Sequence, residues 1–347
     1  MSRGVGVIGA GPGVAALHLP TLARLADLFT VVHLADNGSG RAAELAARVG
    51  ATASQGTAAL LADPAVEVVA ICSPPAEHAR QIRECLDAGV RAILCEKPLA
   101  TTADDARSVV DACRRAGVPL LVATNHFYDS AWDRAKHHLV ALRSDVRTVT
   151  VTVALPPNGR FHDAVTELAS AAATPPRGVP DLADPQVAAG VVRQLVLGLA
   201  VHDLPAIRDL APDLDGVDFA AAVAPIGYTV GFRSSGVRVL LTAVMLPDGA
   251  DPVWRLSIGT STDRVDVEFP PSFVHAGSAT VRVRHGDLRS TTYRRDAEDG
   301  YVSEWRALAA LLDGEATMEV HEVLDDAVFA IELADAAAAA IRAGGTS

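Results

Sequence analysis

The run Val5-Gly6-Val7-Ile8 passes without a break into Gly9-Ala10-Gly11-Pro12-Gly13-Val14, and an acidic residue, Asp36, ends the next β-branched run. A glycine-rich turn between a strand and a helix suits a pyrophosphate. Gly9 makes the turn and Gly11 lets the phosphates approach the helix start, where backbone N–H groups are unpaired. Pro12 and Gly13 complete the loop. Val14 stands at the third glycine position of the GxGxxG pattern, a change that bears on helix–strand packing more than on phosphate binding. Asp36 would accept hydrogen bonds from both hydroxyls of a ribose and repel a 2′-phosphate, so NAD is the expected cofactor, while Arg41 nearby keeps NADP possible.

Two further clusters follow β-branched runs: Cys72-Ser73-Pro74-Pro75-Ala76-Glu77-His78 and Cys95-Glu96-Lys97-Pro98-Leu99. Both fall at the carboxyl ends of parallel strands, where open α/β sheets bind ligands. Of the 30 basic residues only two, Lys97 and Lys136, are lysine. Lysine can shed a proton near working pH and arginine cannot, so a lysine retained at a strand end is a candidate acid/base. Lys136, in a helix rich in Arg and His, reads as a surface residue.

In order and spacing, GAGPG, SPPAEH, LCEKPLA and Asn125-His126 resemble the Gfo/Idh/MocA family, that of glucose-fructose oxidoreductase, inositol dehydrogenase and rhizopine catabolism, over the first 130 or so residues. The resemblance implies a hydride transfer between nicotinamide and a secondary alcohol or ketone of a sugar, cyclitol or related small metabolite. By the same resemblance Lys97 shares a proton network with the reacting hydroxyl, and Ser73, Pro74, His78, Glu96 and Asn125 join Gly9, Gly11, Pro12, Gly13 and Asp36 around the cofactor. The family's Asp-x-x-x-His motif matches Gly198 to His202, with glycine in place of the aspartate. His202 is then the second proton-handling residue. Asp203 points about 100° away from it on a helix and cannot stand in for the lost acid. Gln194, Gly198 and His202 share a helix face at spacing four and, with His126 and Tyr128, are the expected substrate contacts. Pro205 should kink the helix just after His202. Two alternatives stay open: a redox-neutral epimerase or lyase that oxidises its substrate transiently, and a catalytically silent NAD-binding regulator.

The elements that must position these residues change character along the chain. Up to residue 124, apolar runs near 4–8, 30–35, 66–72, 92–95 and 120–123 alternate with amphipathic stretches, the pattern of βαβ units and a parallel sheet. A strand at 146–155 then leads into a Pro/Ala-rich excursion, Pro156 to Pro185, that carries His162 and Asp163. A long helix near 187–210, seven closely spaced strands between 217 and 294, and closing helices near 302–312 and 321–342 follow. The fold expected is an α/β Rossmann dinucleotide-binding domain, 1–124, and an α+β domain with a large open, mainly antiparallel sheet, 125–347. In Val237–Leu246 both alternating sets are mainly apolar, so that strand is expected to be covered on both faces, one of them by a partner subunit in a homodimer or homotetramer.

A net charge of −12 over 347 residues argues against a nucleic-acid partner. No apolar run is long enough for a membrane span, and no Cys/His set has metal-binding spacing. Four dispersed cysteines read as free thiols of a cytoplasmic protein.

Overall fold

A computed structural model describes residues 2–141, 145–156, 180–246, 252–271 and 274–344 of the chain; His162, Asp163 and most of the Pro156–Pro185 excursion lie outside them. The chain forms two units, Met1–Asn125 with Tyr301–Val328, and His126–Gly300 with Phe329–Ser347.

The first unit is built on a six-stranded parallel sheet. Its strands are β1 (Arg3–Ile8), β2 (Phe29–Asp36), β3 (Thr52–Gln55), β4 (Val68–Ile71), β5 (Ala92–Glu96) and β6 (Leu120–Ala123), in the spatial order β3-β2-β1-β4-β5-β6. The order reverses beside β1, so the crevice at its carboxyl end is the topological switch point where such sheets take ligands. β4 and β5 are almost wholly buried, as continuous apolar runs covered by helices on both faces should be. The helix Ala103–Ala116 starts on Thr102, whose hydroxyl accepts from the Asp105 N–H, and stops at Gly117, which turns left-handed at φ +67°. β3 is the strand missed in the sequence: Thr52-Ala53-Ser54-Gln55 is polar and mostly exposed, because an edge strand buries little.

Residues 301–328 return to this unit and do not continue the second, as a boundary at 124/125 had implied. The reason is apolar cover. Trp305, fully buried, sits edge-on to Phe29 at 5.1 Å and to His18 at 6.3 Å, pairings each worth about 0.5–1.5 kcal/mol beyond the area they bury. The Leu120 N–H points at the Met318 sulfur, 3.1 Å away.

The second unit carries an eight-stranded sheet. Its strands are β7 (Val146–Leu155), β8 (Leu214–Ala222), β9 (Ile226–Ser234), β10 (Val237–Met245), β11 (Val253–Thr260), β12 (Arg264–Glu268), β13 (Thr280–Arg284) and β14 (Ser290–Tyr293), ordered β14-β13-β12-β11-β7-β10-β9-β8. Every pairing is antiparallel except β7 with β10. Alternation sorts the strands cleanly: Val239, Leu241, Ala243, Val151, Leu256 and Phe232 form the buried face. In β10 the other set, Arg238, Leu240, Thr242 and Val244, remains at least partly open, so among the described residues only one face of this strand is covered.

The long helix expected over 187–210 is interrupted. Pro185–Gly198 is α-helical, Ala200–His202 makes one tight turn, and Leu204–Leu210 leaves at 69° to the first segment. Pro205, in the first turn of the last segment, cannot donate back to the preceding turn, which places the break where the proline predicts it. Among the described residues no single helix is long and apolar enough to cross a membrane.

Candidate active site

At the end of β1, Gly9 takes φ +108°, and a Cβ there would stand 2.6 Å from the Cys72 carbonyl oxygen. Only glycine fits this turn. Gly11 is different: a Cβ on it would meet nothing within 4 Å. That open side belongs to a cleft of about 790 Å³ reaching from Gly9 and Gly11 past Asp36 and Arg41 to Ser73 and Pro74. Asp36 anchors its far end. It accepts from the Gly38 N–H at 2.8 Å, the Ala42 N–H at 3.0 Å and the Ser39 hydroxyl. Burial pushes this carboxyl up, but those donors outweigh it and hold the group below its usual range.

Pro12 and Gly13 do not line the cleft; Pro12 is exposed and both belong to the first turn of the helix that follows. That helix is wound as a π-turn over Val14–His18, beginning at the residue that replaces the third glycine, and Val14 is buried there. A wider turn makes room for a branched side chain against the sheet. Asn125, just past β6, is buried, and its Oδ1 has no hydrogen-bond partner among the described residues. A cleft opened by a missing Cβ at a helix start and a buried acceptor awaiting a donor both suit a dinucleotide.

Glu96 and Lys97 follow on the same edge, half-buried at the end of β5. Glu96 Oε2 accepts the Lys97 backbone N–H at 3.1 Å, and Oε1 lies 2.9 Å from His18 Nε2. Burial pushes the Lys97 ammonium below its ordinary value, and the Glu96 charge opposes that shift. Burial would raise Glu96, yet the His18 contact and the Lys97 charge hold it low. His18 was not read from the sequence; an imidazole on an apolar helix gave no signal of a partner 78 positions away. His78, expected beside the cofactor, is fully buried, its ring nitrogens each 2.9 Å from the carbonyl oxygens of Ser73 and Pro98. Its two hydrogen-bonding ends face backbone, so it ties the two loops together and presents nothing to a ligand. Ser73 does line the cleft and donates its hydroxyl to Gln81.

In the second unit the residues around His202 form a buried polar cluster. Asp203 Oδ1 lies 3.0 Å from His126 Nδ1, and Asp203 Oδ2 accepts the Trp254 indole N–H at 2.8 Å. His126 stacks on Phe269 with centroids 3.6 Å apart. His126, expected to touch substrate, is therefore a buried support. His202 is half-buried, with the rings of His126 at 5.3 Å and Trp254 at 5.4 Å. Asp203 does not replace the missing acid; it holds the frame around His202. The broken helix also takes His202 out of the segment that carries Gln194 and Gly198, the three residues placed on one face. Gln194 is exposed on the first segment, whereas Gly198 is half-buried and a Cβ on it would meet nothing within 4 Å. Close helix packing is thus not what calls for glycine at 198. Tyr128 lies half-buried, edge-on to Phe127.

Comparison with known proteins bears on the first unit most directly. Residues 3–124 match the family model described as GFO_IDH_MocA, an oxidoreductase family with an NAD-binding Rossmann fold. Inositol 2-dehydrogenase of Rubrobacter xylanophilus is 40% identical over 108 residues, 31% of this chain and 30% of that one. The 1,5-anhydro-D-fructose reductase of Ensifer adhaerens is 33% identical over 181 residues, 52% and 46% of the two chains. The matched segments thus span from under a third to just under half of these relatives. Among solved structures, KijD10, a 3-ketoreductase from Actinomadura kijaniata in complex with NADP and TDP-benzene, superposes with a TM-score of 0.73 at 22% identity, over 95% of this chain and 96% of the other. That likeness extends the shared fold to the second unit. Residues 3–124, with their glycine turn, Asp36 and Glu96-Lys97 in place, are thus similar to the NAD-binding Rossmann unit of the Gfo/Idh/MocA oxidoreductase family.

Proposed function

We propose that this protein is an NAD(P)-dependent dehydrogenase or reductase that moves a hydride between nicotinamide and a secondary alcohol or ketone of a sugar, cyclitol or related small metabolite, with Lys97 and His202 handling the proton. The observation that carries this reading is Lys97, an ammonium pushed down by burial at the carboxyl edge of the sheet that bears the cleft. When bound, the cofactor supplies the hydride acceptor or donor. Lys97 Nζ takes the hydroxyl proton during oxidation and returns it during reduction, a role that a lowered lysine can fill and arginine cannot. Glu96, fixed by His18, keeps a counter-charge beside that lysine. Asp203 fixes the His126 and Trp254 rings that flank His202.

Asp36 favours NAD, and Arg41 on the same cleft keeps NADP within reach. Open space at Gly198 favours a substrate less hydroxylated than glucose or inositol, one with an aliphatic, aromatic or deoxy group where relatives bind a hydroxyl. The names of the relatives support the sugar and cyclitol class. We also propose a homodimer or homotetramer assembled through the open face of the eight-stranded sheet, where Leu240 is 37% exposed.

The test is direct. Purified protein is mixed with NAD or NADP and a panel of sugars, cyclitols, deoxy sugars and their ketones, and nicotinamide absorbance is followed. Turnover that vanishes in Lys97→Met, while NADH still binds, supports the proposal. NADH binding with no turnover across the panel in either direction would overturn it in favour of the silent regulator.

A further inference from the structure

The eight-stranded sheet carries a hollow of about 190 Å³ on its outward face. Trp254 and Arg255 are neighbours in β11 and point to opposite faces: Trp254 is buried and bonded to Asp203, whereas Arg255 is exposed and lines the hollow. Arg264, Asp266 and Glu268 enter it from β12, and Arg282 and Arg284 from β13. Four arginines against two carboxylates leave an excess of two positive charges, in a chain whose net charge is −12.

Strand register explains why the sheet does not cancel this excess. Asp266 Oδ1 accepts from Arg264 Nε at 2.9 Å and from the Ser257 hydroxyl at 2.6 Å, and Glu268 Oε2 lies 3.4 Å from Arg255 Nη2. Both carboxylates are thus engaged on the β11–β12 side. On β13, Arg282 stands opposite Asp266 and Arg284 directly opposite Arg264, yet neither Arg282 nor Arg284 makes an ion pair with a described residue. Like charges facing each other across a ladder repel, so Arg264 against Arg284 costs stability unless an anion lies between them.

We propose that this hollow is a binding site for a dianionic tetrahedral oxyanion, a phosphate or the phosphate group of a small metabolite, held by Arg282 and Arg284 with Arg264 meeting it from β12. Side chains two apart on a strand share a face with their Cα atoms about 7 Å apart, close enough for both to reach one small ion. Each guanidinium is a planar fork of N–H donors. A carboxylate has two oxygens and fills one such fork, whereas a phosphate accepts from two forks at once and brings the charge that the excess of two requires. At about 30 Å³ per water the hollow has the room of about six waters, enough for one oxyanion and part of its hydration shell. The site goes beyond the hydride chemistry, because it lies on the opposite face of the sheet from Trp254. Four strand spacings also separate it from Leu240 on β10, about 19 Å.

The experiment titrates inorganic phosphate into the full chain by calorimetry, at constant ionic strength with chloride as the balancing anion. One phosphate per chain is expected, and the double variant Arg282→Gln/Arg284→Gln should weaken it by at least roughly tenfold. Arg233→Gln, on the same face but already paired with Asp218, should bind as wild type does. Glycerol 3-phosphate separates the two sources: binding roughly tenfold tighter than phosphate marks a metabolite site, and equal or weaker binding marks a site for the free ion. Thermal unfolding supplies a second reading. Phosphate should raise the melting temperature of wild type and not of the double variant. Without phosphate, Arg284→Gln should melt no lower than wild type, because it removes the repulsion with Arg264. A double variant that binds phosphate as wild type does, or heat of binding that disappears once ionic strength is matched, refutes the site. Binding seen only in a monomeric Leu240→Glu protein would mean that a second subunit fills the hollow, and overturns it as well.

Discussion

Gly9 and Gly11 stand two residues apart in one turn, and the structure assigns them opposite kinds of necessity. At Gly9 a methyl group would stand 2.6 Å from the Cys72 carbonyl oxygen and 2.7 Å from its carbon, with the backbone at φ +108°. Neither obstacle is a flexible side chain. Holding alanine in that region costs about 1–3 kcal/mol, and the overlap with backbone adds about 1–3 kcal/mol more. Gly9→Ala should therefore cost about 2–6 kcal/mol and, at about 2–4 °C per kcal/mol for a unit of this size, lower the melting temperature by about 4–24 °C. Gly11→Ala meets nothing within 4 Å and has no positive φ, so stability should change by no more than about 0.5 kcal/mol. Its methyl instead occupies the space a pyrophosphate needs, and NADH affinity should fall by about tenfold or more, about 1.4 kcal/mol. Thermal unfolding and fluorescence titration on both variants separate the two effects. Equal destabilisation by both, or wild-type NADH affinity in Gly11→Ala, would refute the reasoning.

Lys97→Ala should keep NADH binding and lower turnover by about a hundredfold or more, and His202→Ala should cost less because no aspartate precedes it at 198; steady-state kinetics decide both. The oxidation rate should rise with pH along a limb that lies below the ordinary lysine range, because Lys97 must be neutral to take the proton and burial lowers it. Glu96→Gln removes the charge that raises Lys97, so the limb should move to lower pH, and a move upward would contradict the assignment. Gly198→Asp restores an acid four positions before His202 in open space, and should improve kcat/KM for fully hydroxylated cyclitols relative to deoxy substrates. Leu240→Glu should convert the proposed oligomer to monomers by light scattering, while Leu241→Glu, at a fully buried position, should unfold the second unit.

What the sequence made legible follows from how local each signal is. The glycine turn, Asp36 and the buried parallel strands are local, and all stand where the sequence puts them. The kink at Pro205 was legible for the same reason: a missing N–H acts within one turn. His78 and His126 resisted reading because a histidine's partners lie on other elements; each ring spends its nitrogens or its face on Ser73, Pro98, Asp203 or Phe269. His18 joined to Glu96 is the same case, in which a helix residue and a strand end meet only after folding. The alternation in Val237–Leu246 concealed which set was inward, since Leu240 and Leu241 are equally apolar on paper. The domain boundary failed on Trp305, whose role depends on Phe29, far away in the chain.

That return of residues 301–328 sets an order on biosynthesis. The ribosome finishes the six strands of the first unit by Ala123, yet the tryptophan that closes over Phe29 and His18 emerges only after His126–Gly300 has been made. At about 5–20 residues per second this is a wait of roughly 9–35 s, during which a nucleotide-fold sheet exists with one of its aromatic seats vacant. A nascent chain in that interval offers an apolar surface to holdase chaperones, and a product cut short near Asn125 keeps that surface for good. The first unit thus starts before the second and closes after most of it, and its quality control is tied to synthesis of the segment His126–Gly300.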